Sequence, residues 1–113
     1  MSSPNGFFQK RVSLESRNFS LFVQKFENGY FISVSEEENR IGSIVASLAT
    51  GPNPVTTTVI PSRTESLFLK LVSERISTRI RGIALVSAYI KKELEPDTVK
   101  GLMFELMDMI END

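Results

Sequence analysis

The sequence predicts an α+β fold in a single domain, with a mostly antiparallel sheet of five or six strands packed by two helices. Three observations lead to this prediction. Short runs rich in β-branched and aromatic residues recur along the chain and are separated by turn-forming residues. Two of these runs flank Asn28-Gly29, a dipeptide typical of tight hairpin turns. Two later stretches place apolar residues at helical spacing.

The stretch over residues 55–90 predicts a strand, a helix and a second strand, around which we expect the rest of the chain to be organised. Residues 55–60 are almost entirely β-branched, which favours a strand. Pro61 ends this strand because proline has no N–H to donate to a continuing ladder. Residues 83–90 carry apolar side chains on both alternating faces, which indicates a central, covered strand. If the two strands are parallel, a right-handed crossover is expected.

The helix between these strands is predicted over residues 62–77. Ser62 and Glu65 have the spacing of a capping box, in which each side chain bonds the other residue's backbone N–H. Two sets of apolar residues recur at helical spacing: Leu67, Leu71 and Val72, and Phe68, Val72 and Ile76. Leu69 widens the apolar arc, so this helix is expected to be largely covered. Residues 78–82 then turn the chain.

The N-terminal third predicts a flexible segment followed by strands. Residues 1–9 are expected to form a flexible N-terminus, and weak alternation over residues 10–16 favours a first strand. Residues 19–26 form a stronger strand that leads into the Asn-Gly turn, and residues 30–35 return from it. The return strand places Tyr30, Ile32 and Val34 on one face and Phe31, Ser33 and Ser35 on the other. This hairpin is therefore expected to have one core face and one wetter face.

Residues 36–54 give weaker signals. Glu36-Glu37-Glu38-Asn39 predicts a solvated charged loop in preference to a metal site, because consecutive loop carboxylates rarely converge on one ion. Residues 40–48 fit both a helical face and a strand. The short length, Gly42 and the lack of a cap favour a strand. Residues 50–54, rich in Gly and Pro, predict a loop.

The last helix is predicted over residues 96–111. Pro96 suits a first helical position and Asp97 favours the positive end of the helix dipole. One apolar stripe contains Val99, Leu102, Met103, Leu106 and Ile110. Phe104 and Met107 lie off this stripe. They either widen the core-facing side or form a second apolar face for a partner, aided by the adaptable Met side chain.

The composition of this 113-residue chain limits the functions that we expect of it. It contains no Cys and no His, so it lacks thiolate chemistry and the commonest general base and metal ligand. No Gly-rich phosphate-binding motif is present. We therefore expect no enzymatic activity, no cofactor and no metal site. The polar N-terminus and the lack of a long apolar run favour a cytosolic or nuclear protein without a membrane association.

Charge is segregated along the chain although the net charge is −1. Residues 61–92 contain seven basic and two acidic side chains, whereas residues 93–113 contain one basic and seven acidic. These charges either compensate one another within the monomer or meet a complementary partner. The candidate protein-interface residues are Arg75, Arg79, Arg81, Phe104 and Met107. Nucleic acid is a disfavoured partner, since the pI is about 5.5 and no exposed aromatic residues interleave with the basic ones.

The order of elements resembles a known family. An Asn-Gly hairpin is followed by Arg40-Ile41-Gly42-Ser43-Ile44-Val45 and then by the Thr-rich strand of residues 55–60. A helix, a strand ending Val86-Ser87-Ala88-Tyr89 and a terminal helix complete the pattern over residues 16–110. This pattern is similar to the small proteasome assembly chaperones 3 and 4. The Thr-rich strand and Val86-Ser87 lean towards the chaperone 4 type, whereas Arg40-Ile41-Gly42-Ser43-Ile44 resembles chaperone 3 at least as much, and Pro61 departs from the glycine common in chaperone 4.

The resemblance implies a non-enzymatic chaperone subunit. Such a subunit forms a heterodimer with a related assembly chaperone and assists alpha-ring assembly of the core proteasome by holding an alpha-type subunit. Two alternatives remain open at this point. One is a small scaffold of roadblock or longin type that regulates a GTPase. The other is an enzyme that binds a substrate phosphate at residues 62–64, although Glu65 in the first helical turn would repel an anion.

Overall fold

The computed structural model describes residues 6–62 and 66–111. Six strands and two helices follow one another in this part of the chain. They are β1 (Phe7–Leu14), β2 (Arg17–Phe26), β3 (Gly29–Glu36), β4 (Ser43–Leu48), β5 (Val55–Ile60), α1 (Ser66–Ile80), β6 (Ile83–Tyr89) and α2 (Pro96–Glu111). The predicted α+β class and the predicted number of strands and helices are confirmed.

The strands form one mixed sheet in the order β1-β2-β3-β6-β4-β5. Four of the five neighbouring pairs are antiparallel, whereas β3 and β6 pair in parallel. The strands at either end of the predicted strand-helix-strand unit, β5 and β6, are parallel but not neighbours, because both pair antiparallel with β4 between them. The prediction of a central strand over residues 83–90 is confirmed, since β6 lies between β3 and β4.

Both helices pack on one face of the sheet. α1 contacts β4, β5 and β6, and α2 contacts β1 and β2. Between these two layers lies the core, which takes alternate residues of the strands, such as Leu21, Ile32 and Val86, together with Leu102 and Leu106 of α2. The period of two along each strand therefore sends one set of side chains to the helices and leaves the other set on the opposite face.

The predicted hairpin joins β2 to β3, but its loop is Glu27-Asn28 and not Asn28-Gly29, and neither Asn28 nor Gly29 has the positive φ that was expected of an Asn-Gly turn. Gly29 begins β3 opposite Phe26 and also pairs with Ile83 of β6. A Cβ atom at Gly29 would lie 2.1 Å from the carbonyl oxygen of Ile83, so only glycine permits this approach. The strand predicted over residues 40–48 is confirmed as β4, which begins at Ser43.

Two boundary predictions were wrong. β1 begins at Phe7, so residues 7–9 belong to the sheet and not to a flexible N-terminus. α1 runs from Ser66 to Ile80, which places the turn at Arg81-Gly82. Arg81 has a left-handed φ of 58°, and the N–H of Gly82 donates to the carbonyl of Ser77 at 3.1 Å to close the helix end. The predicted capping box includes Glu65 and lies outside the described residues.

The predicted core stripe of α1 was wrong in part. Phe68, Val72 and Ile76 are buried as expected. Leu67 and Leu71 are instead 68% and 46% exposed. The helix is turned so that the Leu69 side of the apolar arc meets the sheet, and the other side of that arc is left at the surface.

The prediction that Glu36 belongs to a solvated loop was also wrong. Glu36 ends β3 and is buried against Arg17, whose Nε and Nη2 donate to the two carboxylate oxygens at 2.9 and 2.7 Å. The backbone N–H of Lys91 donates to the same carboxylate at 3.0 Å. Arg17 also donates to the carbonyls of Lys92 and Glu93. This buried ion pair therefore fixes the segment that leads from β6 into α2.

Candidate protein-interaction surfaces

The first candidate surface is the face of the sheet that the helices leave uncovered, here named the open sheet face. Its apolar side chains come from five strands and alternate with the buried core residues. They include Phe7, Phe22, Phe31, Ile44, Ala46, Leu85 and Tyr89, each half-buried or exposed. Because the register aligns Phe31 with Leu85 and Leu85 with Ala46, the apolar surface continues across three neighbouring strands.

The open sheet face carries no charge on its four inner strands. The described residues of β2, β3, β6 and β4 that point to this side are aliphatic, aromatic, Ser, Asn or Gln. An antiparallel sheet that faces water normally alternates apolar residues with charged or strongly polar ones. Depletion of charge is instead the mark of the buried centre of a protein interface. The composition of this face therefore favours a protein partner.

An aromatic cluster lies at one end of the open sheet face. The rings of Phe7 and Phe22 stack with centroids 6.0 Å apart. With Phe31 and Ile41 they line a mainly apolar depression of about 370 Å³. Ser33 and Ser87 lie beside it, so the floor is low and the aromatic rings stand above it. Such a surface offers both a recess and protruding rings to a partner.

The connection from β3 to β4 closes one border of this face. Ser35 Oγ donates to the carbonyl of Arg40 at 3.1 Å, and the N–H of Gly42 donates to Ser87 Oγ at 3.1 Å. The guanidinium of Arg40 lies 5.5 Å from the ring centroid of Tyr89. These contacts hold Ile41 outward with 76% exposure. The segment therefore adds a large aliphatic side chain to the border of the apolar surface.

The second candidate surface lies on the opposite side of the molecule, between the two helices. A groove of about 530 Å³, here named the helical groove, separates α1 from α2. It is lined mainly by Leu71, Arg75, Arg79, Met103, Met107 and Glu111. Three of the five predicted interface residues, namely Arg75, Arg79 and Met107, are thus brought together. Neither Arg81, which is exposed in the α1–β6 turn, nor Phe104, 68% exposed on α2, lines the groove.

The segregated charges compensate only in part within the chain. Arg79 pairs with Glu111 at 3.1 Å. The other acids of α2 that form ion pairs, Glu105 and Asp108, contact Lys10 on β1. The hydrogen bond to Glu105 raises the pKa of Lys10 above its ordinary value. Among the described residues, neither Arg75 nor Arg81 forms an ion pair.

Sequence reasoning missed the open sheet face as a candidate. Its signal was present in the return strand, where Phe31 lies on the side interpreted as wetter, and in Phe22, which faces the same way. The lack of any charged residue at these alternate positions identifies the face only once the pairing partners of the inner strands are known.

In the part of the chain that the structure describes, there is neither a cluster of metal-binding side chains nor a helix that could span a membrane. No group of three or more Asp or Glu side chains there is placed to hold a metal ion. No helix over those residues has the length and apolar character that crossing a membrane requires.

Comparisons with known proteins place the fold. No protein-family model matches the chain, and no curated protein sequence matches it. Its fold is similar to that of a chain in the crystal structure of a novel chaperone complex for yeast 20S proteasome assembly. The alignment covers 94% of each chain, with a TM-score of 0.69 and 8% sequence identity. The protein therefore has the α+β fold of a component of a yeast proteasome assembly chaperone complex.

Proposed function

We propose that this protein is a non-enzymatic subunit of a proteasome assembly chaperone. It forms a heterodimer with a related chaperone and assists assembly of the alpha ring of the core proteasome. The observation that carries the proposal is the apolar open sheet face, uncharged on its four inner strands, in a chain with the fold of a yeast assembly chaperone component. A cytosolic or nuclear location is part of the same proposal.

The open sheet face suits a partner that presents a second sheet. Two sheets stack face to face about 10 Å apart, with the side chains of their inner faces interdigitating. Ser33, Ala46 and Ser87 are small, so a partner's larger side chains fit above them, while Phe22 and Phe31 project into the opposite sheet. A related chaperone with the same architecture supplies such a sheet. The resulting sandwich has helices on both outer sides.

Pairing through the open sheet face leaves the helices accessible. The helical layer of each subunit then faces outward and is free to hold a client. Holding a client protein requires a complementary surface, and no covalent bond has to be made or broken. The sequence, with no His and no Cys, suits such a role.

Co-purification tests this function. A tagged full-length chain is expressed in cells and recovered at physiological salt, and its companions are identified by mass spectrometry. We expect a small chaperone of similar fold in near-equal amount, together with alpha-type proteasome subunits. Recovery of a small GTPase in place of these proteins would contradict the proposal and favour the roadblock or longin alternative.

Two variants with the same substitution control for the surface that is used. Phe31→Asp introduces a carboxylate on the open sheet face, whereas Phe104→Asp introduces it on the exposed side of α2. We expect Phe31→Asp to remove the chaperone partner, because an unpaired charge buried in an interface is costly. Phe104→Asp is expected to retain it. Phe7→Asp repeats the test at a 41%-exposed site on edge strand β1, where the fold is least affected.

A further inference from the structure

The helical groove combines an apolar floor with a charged border. Leu71 of α1 faces Met103 and Met107 of α2 across it. The two methionines are half-buried and pack partly against the core, and their flexible thioether side chains adapt to different contact shapes. A volume of about 530 Å³ accommodates one or two large side chains and lies in the range of ligand pockets.

The exposed side of α1 extends this apolar surface. Leu67 and Leu71 are one helical turn apart and are both largely exposed. Neither residue is needed to fill the core, which Phe68, Leu69 and Val72 already occupy on the sheet side. Two neighbouring exposed leucines beside an apolar groove form a continuous patch, and such patches mark interaction sites.

Of the two arginines that line the helical groove, Arg79 forms an ion pair and Arg75 forms none with the described residues. Glu74 accepts a hydrogen bond from the hydroxyl of Thr56, and Glu111 pairs with Arg79. Glu111 is thus compensated by an ion pair, whereas Glu74 is bonded to a neutral hydroxyl. The guanidinium of Arg75 is exposed, lines the groove and has no carboxylate in ion-pairing range among the residues that the structure describes. The groove therefore presents one exposed guanidinium without an ion pair beside an apolar floor, while its two arginines and two glutamates sum to zero charge.

We propose that the helical groove binds a short acidic segment of a partner protein, with an apolar side chain inserted between α1 and α2 and a carboxylate paired with Arg75. Arginine suits this role because its planar fork binds a carboxylate through two hydrogen bonds. A second copy of this chain is a poorer occupant. A two-fold contact would place the groove against itself and bring Arg75 towards its own equivalent.

A synthetic peptide tests the inference directly. The probe is a fluorescein-labelled peptide of about a dozen residues, with two leucines one helical turn apart among glutamate and alanine. Its counterpart has every glutamate replaced by lysine. Fluorescence anisotropy is measured with the purified full-length chain at low and at physiological salt. We expect saturable binding of the acidic peptide that weakens with salt, and no binding of the lysine peptide.

Three variants of the protein complete the test. Arg75→Glu is expected to weaken binding of the acidic peptide about tenfold, as loss of a charge-assisted pair does. Leu71→Ala is expected to weaken it several-fold without changing the unfolding midpoint, because the side chain is exposed. Arg11→Glu makes the same charge change on the exposed side of β1 and is expected to leave binding within about twofold.

Other outcomes overturn the inference. Equal affinity of the parent and Arg75→Glu for the acidic peptide would remove Arg75 from the site, and equal binding of both peptides would remove the charge preference. Amide shifts in NMR spectra that fall on the open sheet face and not on α1 and α2 would place the peptide elsewhere. Self-association lost in Arg75→Glu, together with no peptide binding, would make a second copy the occupant.

The inference concerns a surface separate from the proposed dimer face. The Phe31→Asp variant, which is expected to lose the chaperone partner, should bind the acidic peptide as well as the parent does. Failure of the peptide experiment with intact pairing refutes the groove alone, and failure of pairing with intact peptide binding refutes the proposed dimer alone.

Discussion

The buried ion pair of Arg17 and Glu36 leads to a quantitative prediction for Glu36→Gln. The carboxylate accepts three hydrogen bonds, two from Arg17 and one from the backbone N–H of Lys91. Replacing it with an amide retains the size of the side chain but leaves a buried guanidinium without its counter-charge and turns an NH₂ group towards a donor. Removing one partner of a buried pair typically costs about 3–5 kcal/mol, and this conservative change is expected at about 3 kcal/mol.

Urea unfolding at neutral pH measures this loss. With a slope of about 1.5 kcal/mol per molar urea, a loss of about 3 kcal/mol lowers the midpoint by about 2 M. Glu37→Gln makes the same chemical change at the next residue, where the side chain is exposed, and is expected to stay within about 0.5 kcal/mol of the parent. A change below about 0.5 kcal/mol for Glu36→Gln as well would refute the reasoning.

The pH dependence of the free energy of unfolding provides a second test of the Arg17–Glu36 pair. The hydrogen bonds from Arg17 lower the pKa of Glu36 below its ordinary value, and this effect outweighs the opposing effect of burial. The unfolded chain therefore binds more protons than the folded chain as the pH falls below about 4.3. The stabilisation is complete above that pH and is lost as the pH falls through the lowered pKa. The difference in the free energy of unfolding between the parent and Glu36→Gln should thus become smaller as the pH is lowered. A difference that does not change with pH would contradict the stabilising role of the Glu36 carboxylate.

Two further predictions concern packing. Leu69→Ala removes a buried side chain on the sheet side of α1 and is expected to cost about 2–5 kcal/mol, whereas Leu71→Ala on the exposed side should stay within about 0.5 kcal/mol; equal urea midpoints for the two variants would show that α1 is turned differently. Gly29→Ala places a Cβ atom 2.1 Å from the carbonyl oxygen of Ile83 and is expected to cost at least about 1–3 kcal/mol, whereas Gly51→Ala meets no atom within 4 Å and should be nearly neutral by thermal unfolding. An unchanged melting temperature for Gly29→Ala would mean that the hairpin does not approach β6 so closely.

The strands and the hairpin could be predicted because their signals are local. β-Branched residues, a period of two and a turn-forming dipeptide act over a few residues, and β3, β5 and β6 lie within a residue or two of their predicted bounds. The hairpin was located correctly although Gly29 is the first residue of β3 and not part of the turn. The order of the strands could not be predicted in the same way. The parallel pairing of β3 with β6 joins segments about 50 residues apart and depends on how the helices cover the sheet.

The side of α1 that faces the core could not be predicted from the sequence of the helix alone. Its apolar arc includes Leu67, Leu69 and Leu71, so periodicity permits more than one side to face the core. The sheet selects the side with Phe68, Leu69 and Val72, and the remaining leucines become surface. An apolar arc wider than one interface is itself a signal that a second surface exists.

The candidate surfaces could likewise be predicted only in part from the sequence. Arg75, Arg79 and Met107 were identified from charge and helical position, and the fold brings them to one groove. The buried position of Glu36 could not be foreseen, because its partner Arg17 is 19 residues away and three adjacent glutamates indicate a solvated loop. The open sheet face was missed because serine between aromatic residues reads as a solvated side until the neighbouring strands are known.

Pairing through the open sheet face is the central claim, and native mass spectrometry of the recovered complex tests it most directly. The tagged parent, Phe31→Asp, Phe7→Asp and Phe104→Asp are purified in parallel from the same cells. We expect the parent and Phe104→Asp to appear as heterodimers with one small chaperone, and Phe31→Asp to appear as a folded monomer. A heterodimer that survives Phe31→Asp and Phe7→Asp but is lost in Phe104→Asp would contradict the account and place the dimer contact on the helical layer.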